Sequence, residues 1–204
     1  MAFILGVTGG IATGKSTVVA VFREAGIPIV DGDLIAREIV EPGQPALTAL
    51  VQAFGTEILD GDRLNRKKLG AIVFQDSAKR RVMDRLLDRY LRGAITEQIK
   101  AAAKSAPLVV ADIPLLYEAD YAQYMDQVAV VYLPQEVQLA RLMQRDNLSE
   151  ETALKRIESQ LPNEEKRQKA DFIFDNQGSR EETKQQVWDW LAQKGFAQDK
   201  KTNQ

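Results

Sequence analysis

The chain has 204 residues, of which 45% are hydrophobic and 27% are charged, and this is enough for one globular domain or for a core with a small inserted subdomain. It contains no cysteine and no histidine, which excludes disulfides, thiol chemistry and the commonest general base, so a proton acceptor must be an Asp or a Glu. The formal net charge of −2 gives no general attraction to nucleic acid or to an anionic membrane, so neither is expected as a partner.

The N-terminal residues predict a buried strand and not a targeting segment. Phe3 to Val7 are apolar and strand-like, and no charged segment precedes them as it would in a signal peptide. No apolar run approaches the length of a membrane span. We therefore expect a cytoplasmic enzyme without a membrane partner.

A glycine-rich loop follows this strand. Residues 9–17, GGIATGKST, fit the phosphate-loop pattern of Gly, four residues and Gly-Lys-Ser/Thr, and a helical stretch then continues to Gly26. In such a loop the backbone N–H groups and the helix dipole bind phosphate, Lys15 reaches the β- and γ-phosphates, and the Ser16 hydroxyl ligates Mg²⁺. An ordinary glycine turn is the alternative, but it does not explain the Lys-Ser pair.

Two acids follow the second predicted strand, which spans residues 27–30. With the first strand and its helix this strand forms a βαβ unit, so Asp31 and Asp33 are expected at the carboxyl edge of a parallel sheet, beside the phosphate loop. Asp33 is the candidate base for an acceptor hydroxyl, and Asp31 is the alternative. Either acid is also a possible N-cap of the helix that begins near Leu34.

The segment from residue 46 to about residue 104 predicts helices and no strand. Helices are indicated at 46–54, from the N-cap-like Asn65 to Phe74, and from Ser77 towards Lys104, with a turn at 60–62. Such an insertion between the second and third strands suggests a substrate-binding subdomain. A plain helical cover on the sheet is the alternative.

The third predicted strand, residues 107–112, ends in an acid. Asp112 therefore occupies the Walker B position, where a carboxylate orients Mg²⁺ through water. The loop that follows, residues 113–118, is unusually apolar. It either lines a pocket or caps the core.

The remaining chain predicts two more strands, at 128–133 and 172–174, and helices at 135–147, after Ser149 and after Ser179. The polar tail, Gln198 to Gln204, is expected to fray. Three arginines lie on two helices joined by a short loop, as in a lid that excludes water from a transferring phosphoryl group: Arg141, Arg145 and Arg156. Ordinary surface charge on solvated helices is the alternative.

These elements predict an α/β protein with a three-layer P-loop kinase fold: a five-stranded parallel sheet, a helical substrate-binding insertion and a helical lid. We expect a single domain with its core at 1–33, 105–134 and 170–196, the insertion at 34–104 and the lid at 135–169. The chain lacks the Asn/Thr-Lys-x-Asp motif of GTP-binding proteins, which favours ATP. The arginines favour a small-molecule kinase over a switch or assembly factor that hydrolyses ATP without an acceptor.

Several segments resemble the dephospho-CoA kinase family, in the family's order and over nearly the whole chain. They are 5–17 (LGVTGGIATGKST), 30–37 (VDGDLIAR), 65–66 with 73–74, 112–118 (DIPLLYE), 141–146, 156–160 and 170–178. The resemblance implies that ATP phosphorylates the ribose 3′-hydroxyl of dephospho-CoA, giving CoA and ADP, in the final step of CoA biosynthesis. Another small-molecule kinase, acting on a nucleoside monophosphate or a small alcohol, is the runner-up.

The resemblance also implies roles for individual residues. ATP is bound by Ala12, Thr13, Gly14, Lys15, Ser16 and Thr17. Lys15, Asp33 and Arg141 are the expected catalytic residues, and Ser16 and Asp112 the expected ligands of Mg²⁺. The insertion is expected to hold dephospho-CoA, and the substrate-binding residues are Thr8, Asp33, Arg37, Arg66, Leu115 and Glu118. Nothing indicates the oligomeric state.

Two positions depart from the family's pattern. Ala12 stands where glycine is usual, and Gly32 stands where alanine is common. Ala12 requires a backbone conformation that tolerates a Cβ, so we expect a slightly different loop there. Neither change removes a catalytic side chain.

Overall fold

A computed structural model describes residues 1–196, and the predicted fraying of Gln198 to Gln204 lies outside the described residues. The strands are β1 (Phe3–Thr8), β2 (Ile29–Asp31), β3 (Leu59–Asp60), β4 (Arg63–Leu64), β5 (Leu108–Asp112), β6 (Gln127–Tyr132) and β7 (Phe172–Asp175). The helices are α1 (Lys15–Glu24), α2 (Gly32–Glu38), α3 (Pro45–Phe54), α4 (Arg66–Phe74), α5 (Ser77–Ala102), α6 (Gln135–Asp146), α7 (Glu150–Glu158), α8 (Asn163–Lys169) and α9 (Arg180–Gln193).

The main sheet has five strands in the order β2-β5-β1-β6-β7, with β1 at its centre. Strand β1 pairs in parallel with β5 and with β6, and β6 pairs in parallel with β7. All five residues of β5 are buried, as expected for a central strand that helices cover on both faces. The predicted parallel sheet is confirmed, and because its strands are parallel, the residues that follow β1 and β5 lie at the same edge.

An aromatic cluster fills the core on one face of this sheet. Phe22 of α1 meets Trp190 of α9 edge to face, with ring centroids 5.8 Å apart, and it meets Phe174 of β7 at 6.1 Å. All three rings are buried, together with Leu5 and Val7 of the central strand. Burial of aromatic side chains on this scale anchors α1, and therefore the loop in front of it, to the sheet.

The ends of several helices follow the capping signals in the sequence. Gly26 has φ 75° after α1, and the N–H of Ile27 donates to the carbonyl of Phe22, which completes a Schellman motif. Asn65 accepts from the first turn of α4, and Ser149 caps α7. Ser179 forms a capping box with Glu182 at the start of α9.

The chain divides into two compact units. The core unit comprises Met1–Val30 and the chain from Ala101 onward, and the inserted unit is Asp31–Lys100. The inserted unit has its own buried apolar cluster, which includes Leu50, Ile58 and Leu69.

One expectation about secondary structure was wrong, and one helix was not predicted. The inserted unit contains an antiparallel hairpin of β3 and β4, in which Asp60 pairs with Arg63 across Gly61 at φ 61°. Strands of two residues are too short to show the alternation of apolar and polar residues that identifies a strand in a sequence. Helix α8 was also not predicted, because its sequence NEEKRQK has no apolar stripe.

Within residues 1–196, none of the helices combines the length and the apolar character that crossing a membrane requires.

Candidate active site

The phosphate loop lies between β1 and α1, at the edge of the sheet where β1 ends. Gly14 is the N-cap of α1 with φ 87°, a left-handed conformation that suits glycine, and the helix begins at Lys15. The N–H of Thr17 donates to the carbonyl of Gly14. The preceding N–H groups of the first turn have no acceptor within a helix, so they form a donor surface for an anion.

Ala12 has φ 60°, the left-handed conformation that L side chains rarely adopt. The expectation that this position has a backbone conformation that readily tolerates a Cβ was therefore wrong. The backbone keeps a conformation typical of glycine, and the Cβ adds strain of about 1 kcal/mol.

Side-chain amides from the predicted lid bind the first half of the loop. Gln160 accepts from the N–H of Ile11 at 2.8 Å, and Gln138 donates to the carbonyl of the same residue at 2.8 Å. Asn163 accepts from the N–H of Gly10 at 3.1 Å. These contacts fix the backbone before Ala12. The N–H of Thr13 donates to the carbonyl of Gly10 at 3.2 Å, so the donors that face a ligand belong mainly to the first residues of α1.

A fourth amide, from Asn176, binds the second half of the loop. It donates to the carbonyl of Thr13 at 2.7 Å and accepts from the Thr183 hydroxyl at 2.7 Å. Its Nδ2 would lie 2.0 Å from a Cβ at Gly14, so this packing requires glycine at that position. Arg141 of α6 donates to the backbone carbonyl of Asn176 at 3.0 Å, which places the predicted catalytic arginine next to this support.

Lys15 and Asp112 are brought together. The ammonium of Lys15 donates to Oδ1 of Asp112, and the two side chains are 18% and 11% exposed. The register of β1 with β5 places Val7 opposite Asp112, so the Walker B acid lies next to the start of the loop. The pair joins the two charged groups that the phosphate-loop and Walker B predictions named.

The oxygen ligands predicted for a metal ion are few. Ser16 is exposed in the first turn of α1, and Asp112 ends β5. Within residues 1–196, no group of three or more acidic, His or Cys side chains is arranged to hold a metal ion. Two oxygen donors suit Mg²⁺, which usually keeps several waters and takes its other ligands from substrate phosphates.

Three predicted substrate-binding residues lie in or beside the loop after β5. Thr8 is fully buried and donates from Oγ1 to the carbonyl of Pro114 at 2.8 Å, so its hydroxyl holds this loop, and the expected contact of Thr8 with substrate is corrected. Leu115 is 43% exposed. The Glu118 carboxylate accepts from the N–H of Leu161 at 3.0 Å and forms an ion pair with Lys166 at 2.8 Å.

The other predicted substrate residues belong to the inserted unit. Asp31 is the N-cap of α2 and accepts from the N–H of Leu34 at 3.0 Å, so the capping alternative holds for Asp31. Asp33 and Arg37 are exposed on the same helix. Arg66 lines a cavity of about 310 Å³. The rest of this cavity is mainly apolar, with Ala36, Val40, Leu64, Leu69, Gly70, Val73, Phe74, Met83 and Leu87, and it also has Arg80 and Asp84.

The other two lid arginines are joined by an acid. Arg145 and Arg156 both donate to the carboxylate of Asp146, at 2.8 Å and 2.9 Å. The hydrogen bond from Arg145 lowers the pKa of the Asp146 carboxyl below its usual value. The Arg156–Asp146 pair therefore links α7 to α6, while Arg145 pairs within α6. Arg141 contacts Asn176, which supports the phosphate loop.

Comparison with known proteins identifies the family. The family model for dephospho-CoA kinase matches residues 3–182. The chain belongs to the dephospho-CoA kinase family. The dephospho-CoA kinase of Enterococcus faecalis is 59% identical over 192 residues, which cover 94% of this chain and 96% of that protein. The solved structure of the dephospho-CoA kinase from Campylobacter jejuni has a TM-score of 0.75 at 32% identity, and the match covers 96% of this chain and 99% of that chain.

A shikimate kinase from Bacteroides thetaiotaomicron is similar in fold alone, with a TM-score of 0.53, 13% identity, and coverage of 95% of this chain and 98% of that chain. As a member of the dephospho-CoA kinase family, the chain is a transferase that catalyses the ATP-dependent phosphorylation of dephospho-CoA in CoA biosynthesis. The predicted family, fold class and reaction are therefore confirmed. ATP-using kinases with this fold generally need a divalent metal ion.

The amides that hold the phosphate loop carry no signal in the sequence that assigns them this role. Gln138 and Asn163 had no motif to mark them, and Gln160 and Asn176 appeared only as part of the resemblance. Their partners lie more than a hundred residues away along the chain. A pattern of local spacing contains no signal for such contacts.

Proposed function

We propose that the protein transfers the γ-phosphoryl group of ATP to the ribose 3′-hydroxyl of dephospho-CoA, giving CoA and ADP in the last step of CoA biosynthesis. The observation that carries this proposal is the phosphate loop at the start of α1, with Lys15 paired to the Walker B acid, in a chain of this family. Positioning and electrostatic stabilisation account for most of the catalysis in phosphoryl transfer.

On the ATP side, the loop from Ala12 to Thr17 binds the phosphates. Its main backbone donors are the N–H groups of Gly14, Lys15 and Ser16, since those of Thr13 and Thr17 already donate to carbonyls of the loop. Lys15 leaves Asp112 for the β- and γ-phosphates, where its charge offsets the negative charge that develops during transfer. The movement is short because the ammonium already lies at the carboxyl edge of β5, against Asp112.

Ser16 and Asp112 are the proposed ligands of Mg²⁺, Ser16 directly and Asp112 through water. When bound, the ion offsets charge on the β- and γ-phosphates. Their oxygen atoms match the preference of a hard cation.

On the acceptor side, Asp33 orients the 3′-hydroxyl and takes its proton. The carboxylate is exposed in the first turn of α2, and Asp31 caps the same helix, which leaves Asp33 for substrate. Arg37 and Arg66 bind phosphate groups of dephospho-CoA, since planar guanidinium groups suit phosphate oxygens.

The cavity in the inserted unit takes the pantetheine arm of dephospho-CoA. Its volume of about 310 Å³ and its largely apolar lining suit a slender chain of methylene, methyl and amide groups, and Arg66 lies on its wall. Leu115, which is 43% exposed in the core unit, provides a further apolar contact for the substrate.

Arg141 stabilises the nucleotide during transfer. It lies on α6 in the predicted lid and already donates to the backbone of Asn176, which holds the loop. A closed lid also excludes water, which would otherwise compete with the acceptor.

The test is ADP release from Mg-ATP with and without dephospho-CoA, and with AMP, CMP and uridine as rival acceptors. We expect ADP only with dephospho-CoA, together with CoA phosphorylated at the 3′-oxygen. Activity on a rival acceptor would change the assigned substrate but not the assigned fold. Equal ADP release without any acceptor would favour an ATP-driven switch and overturn the proposal.

A further inference from the structure

Lys166 is a fully buried lysine for which the proposed chemistry has no use. It lies on α8 with none of its side chain exposed. Burial of an ammonium group is costly unless the charge is paired and hydrogen-bonded. Its Nζ lies 2.8 Å from Oε1 of Glu118 and 3.4 Å from the carbonyl oxygen of Pro114, so both partners come from the loop after β5.

The two partners of Lys166 each bind a second part of the protein. The Pro114 carbonyl also accepts from the hydroxyl of Thr8, the residue that ends β1 in front of the phosphate loop. Oε1 of Glu118 also accepts from the N–H of Leu161, in the connection between α7 and α8. A single ammonium group therefore joins the end of β1, the loop after β5 and this connection.

The α7–α8 connection itself contacts the phosphate loop. Gln160, next to Leu161, accepts from the N–H of Ile11, and Asn163 accepts from the N–H of Gly10. A shift of this connection therefore moves two acceptors that fix the phosphate loop. The pair of Lys166 and Glu118 therefore connects the loop after β5 to the α7–α8 connection, which forms the base of the predicted lid.

We propose that Lys166 and Glu118 are positioning residues, which set the loop after β5 and the base of the lid against the phosphate loop during phosphoryl transfer. The inference rests on the proposed function and reassigns Glu118, which the resemblance placed among the substrate-binding residues. A pair that positions the reacting groups affects the rate of transfer more than the affinity for either substrate, because small displacements weaken stabilisation of the transition state.

The experiment compares Lys166→Met, Glu118→Gln and the double variant with wild type. Lys155→Met is the control, since Lys155 is an exposed lysine on the neighbouring helix α7. For each protein we measure kcat, the KM for ATP and for dephospho-CoA, ADP release without acceptor, and Tm. The Met side chain keeps most of the volume of lysine, so loss of the charge is the main change.

We expect Lys166→Met to lower kcat by about tenfold or more, while both KM values change by less than about threefold. ADP release without acceptor should rise relative to transfer, because the base of the lid is no longer fixed. Glu118→Gln should lower Tm the most, since it leaves the buried ammonium without its counterion. The double variant should recover Tm but not kcat, which separates positioning from folding.

Two results would overturn the inference. If the variants lower only Tm and retain wild-type kinetics, the pair is structural. If Glu118→Gln raises the KM for dephospho-CoA strongly at unchanged kcat, Glu118 binds the substrate itself. When the single variants do not fold, the double variant decides between these results. Failure of the wild-type protein to phosphorylate dephospho-CoA would instead contradict the proposed function, so the two failures are distinct.

Discussion

At the scale of single residues, Ala12 has a backbone conformation that is usual for glycine. Its φ of 60° is the conformation expected of glycine, although the residue has a Cβ. Four amide side chains fix the surrounding backbone, so the loop cannot relax by changing its path. The strain therefore stays in the folded protein.

Ala12→Gly should raise the free energy of unfolding by up to about 1 kcal/mol, because relief of the left-handed strain exceeds the added chain entropy of glycine. Turnover should stay near that of wild type, since the loop keeps its conformation. Urea unfolding measures the change. Ala20→Gly is the control, because the same substitution inside α1 removes about 1 kcal/mol of stability. Equal losses in the two variants would show that Ala12 is not strained.

Tyr117 gives a pH-dependent prediction. Among residues 1–196 its buried hydroxyl has no hydrogen-bond partner, and burial together with the charge of Asp171 raises the pKa of Tyr117 to about 12. Since this pKa lies above the unfolded value of about 10, the stability that the neutral hydroxyl contributes is complete below pH 10 and is lost as the pH rises towards 12.

Tyr117→Phe should therefore be neutral, or stabilising by up to about 1 kcal/mol, at pH 7, because it removes a buried group without a partner. Its advantage over wild type should grow at about pH 10.5 and above, where the hydroxyl of the unfolded wild-type chain ionises while that of the folded protein keeps its proton. Urea unfolding at both pH values tests this. An advantage that stays constant with pH would show that the hydroxyl titrates normally.

At the scale of elements, the phosphate loop depends on side chains from distant helices and strands. Asn176 follows β7 and bridges the Thr13 carbonyl to the Thr183 hydroxyl of α9. The same residue positions Arg141 through its backbone carbonyl. The conformation of the loop is therefore a property of the core unit and not of the nine loop residues alone.

Asn176→Ala should cost about 1–3 kcal/mol of unfolding free energy, because it leaves buried hydrogen-bonding groups without partners. It should also raise the KM for ATP more than it lowers kcat. The loop loses its support in the ground state as well as in the transition state, so binding of ATP is weakened in both. The control is Gln177→Ala, the exposed neighbour, with an expected change within about 0.5 kcal/mol. A KM for ATP that matches wild type in Asn176→Ala would contradict this role.

The elements themselves were largely predictable from the sequence. The runs that became β5 and β6 are continuous and apolar, and Asn65, Ser149 and Ser179 mark the helix starts found in the structure. The β3–β4 hairpin and α8 were missed because neither has a hydrophobic period. The ion pair of Lys166 with Glu118 was missed because a lysine in a polar sequence gives no indication that its helix buries it.

At the scale of the whole molecule, the proposed chemistry is divided between the two units. Lys15 and Asp112 belong to the core unit, and Asp33, Arg37 and Arg66 belong to the inserted unit. Under the proposed function, residues for the nucleotide and residues for the acceptor would come from different units, each with its own buried apolar cluster.

Asp33→Asn should lower turnover by about a hundredfold or more with little effect on Tm, because the side chain is exposed and its proposed role is chemical. The KM for ATP should be unchanged, since the substitution lies in the inserted unit. Glu38→Gln, which neutralises another exposed acid on α2, is the control. Near-normal turnover in Asp33→Asn would show that it does not act as the base.

The central position of β1 has a consequence for synthesis of the protein. Phe3 pairs with Leu108, and Leu5 pairs with both Val110 and Gln127, so the first strand to leave the ribosome has no partner strand until half of the chain has followed. The phosphate loop that follows β1 is completed later still, because Gly10, Ile11 and Thr13 form hydrogen bonds with residues between 138 and 176. Pairings this distant in sequence form late. The nascent protein thus acquires its nucleotide-binding site only when its synthesis is nearly complete, and a shortened translation product that ends before Gln160 lacks three of the four amides that hold the site.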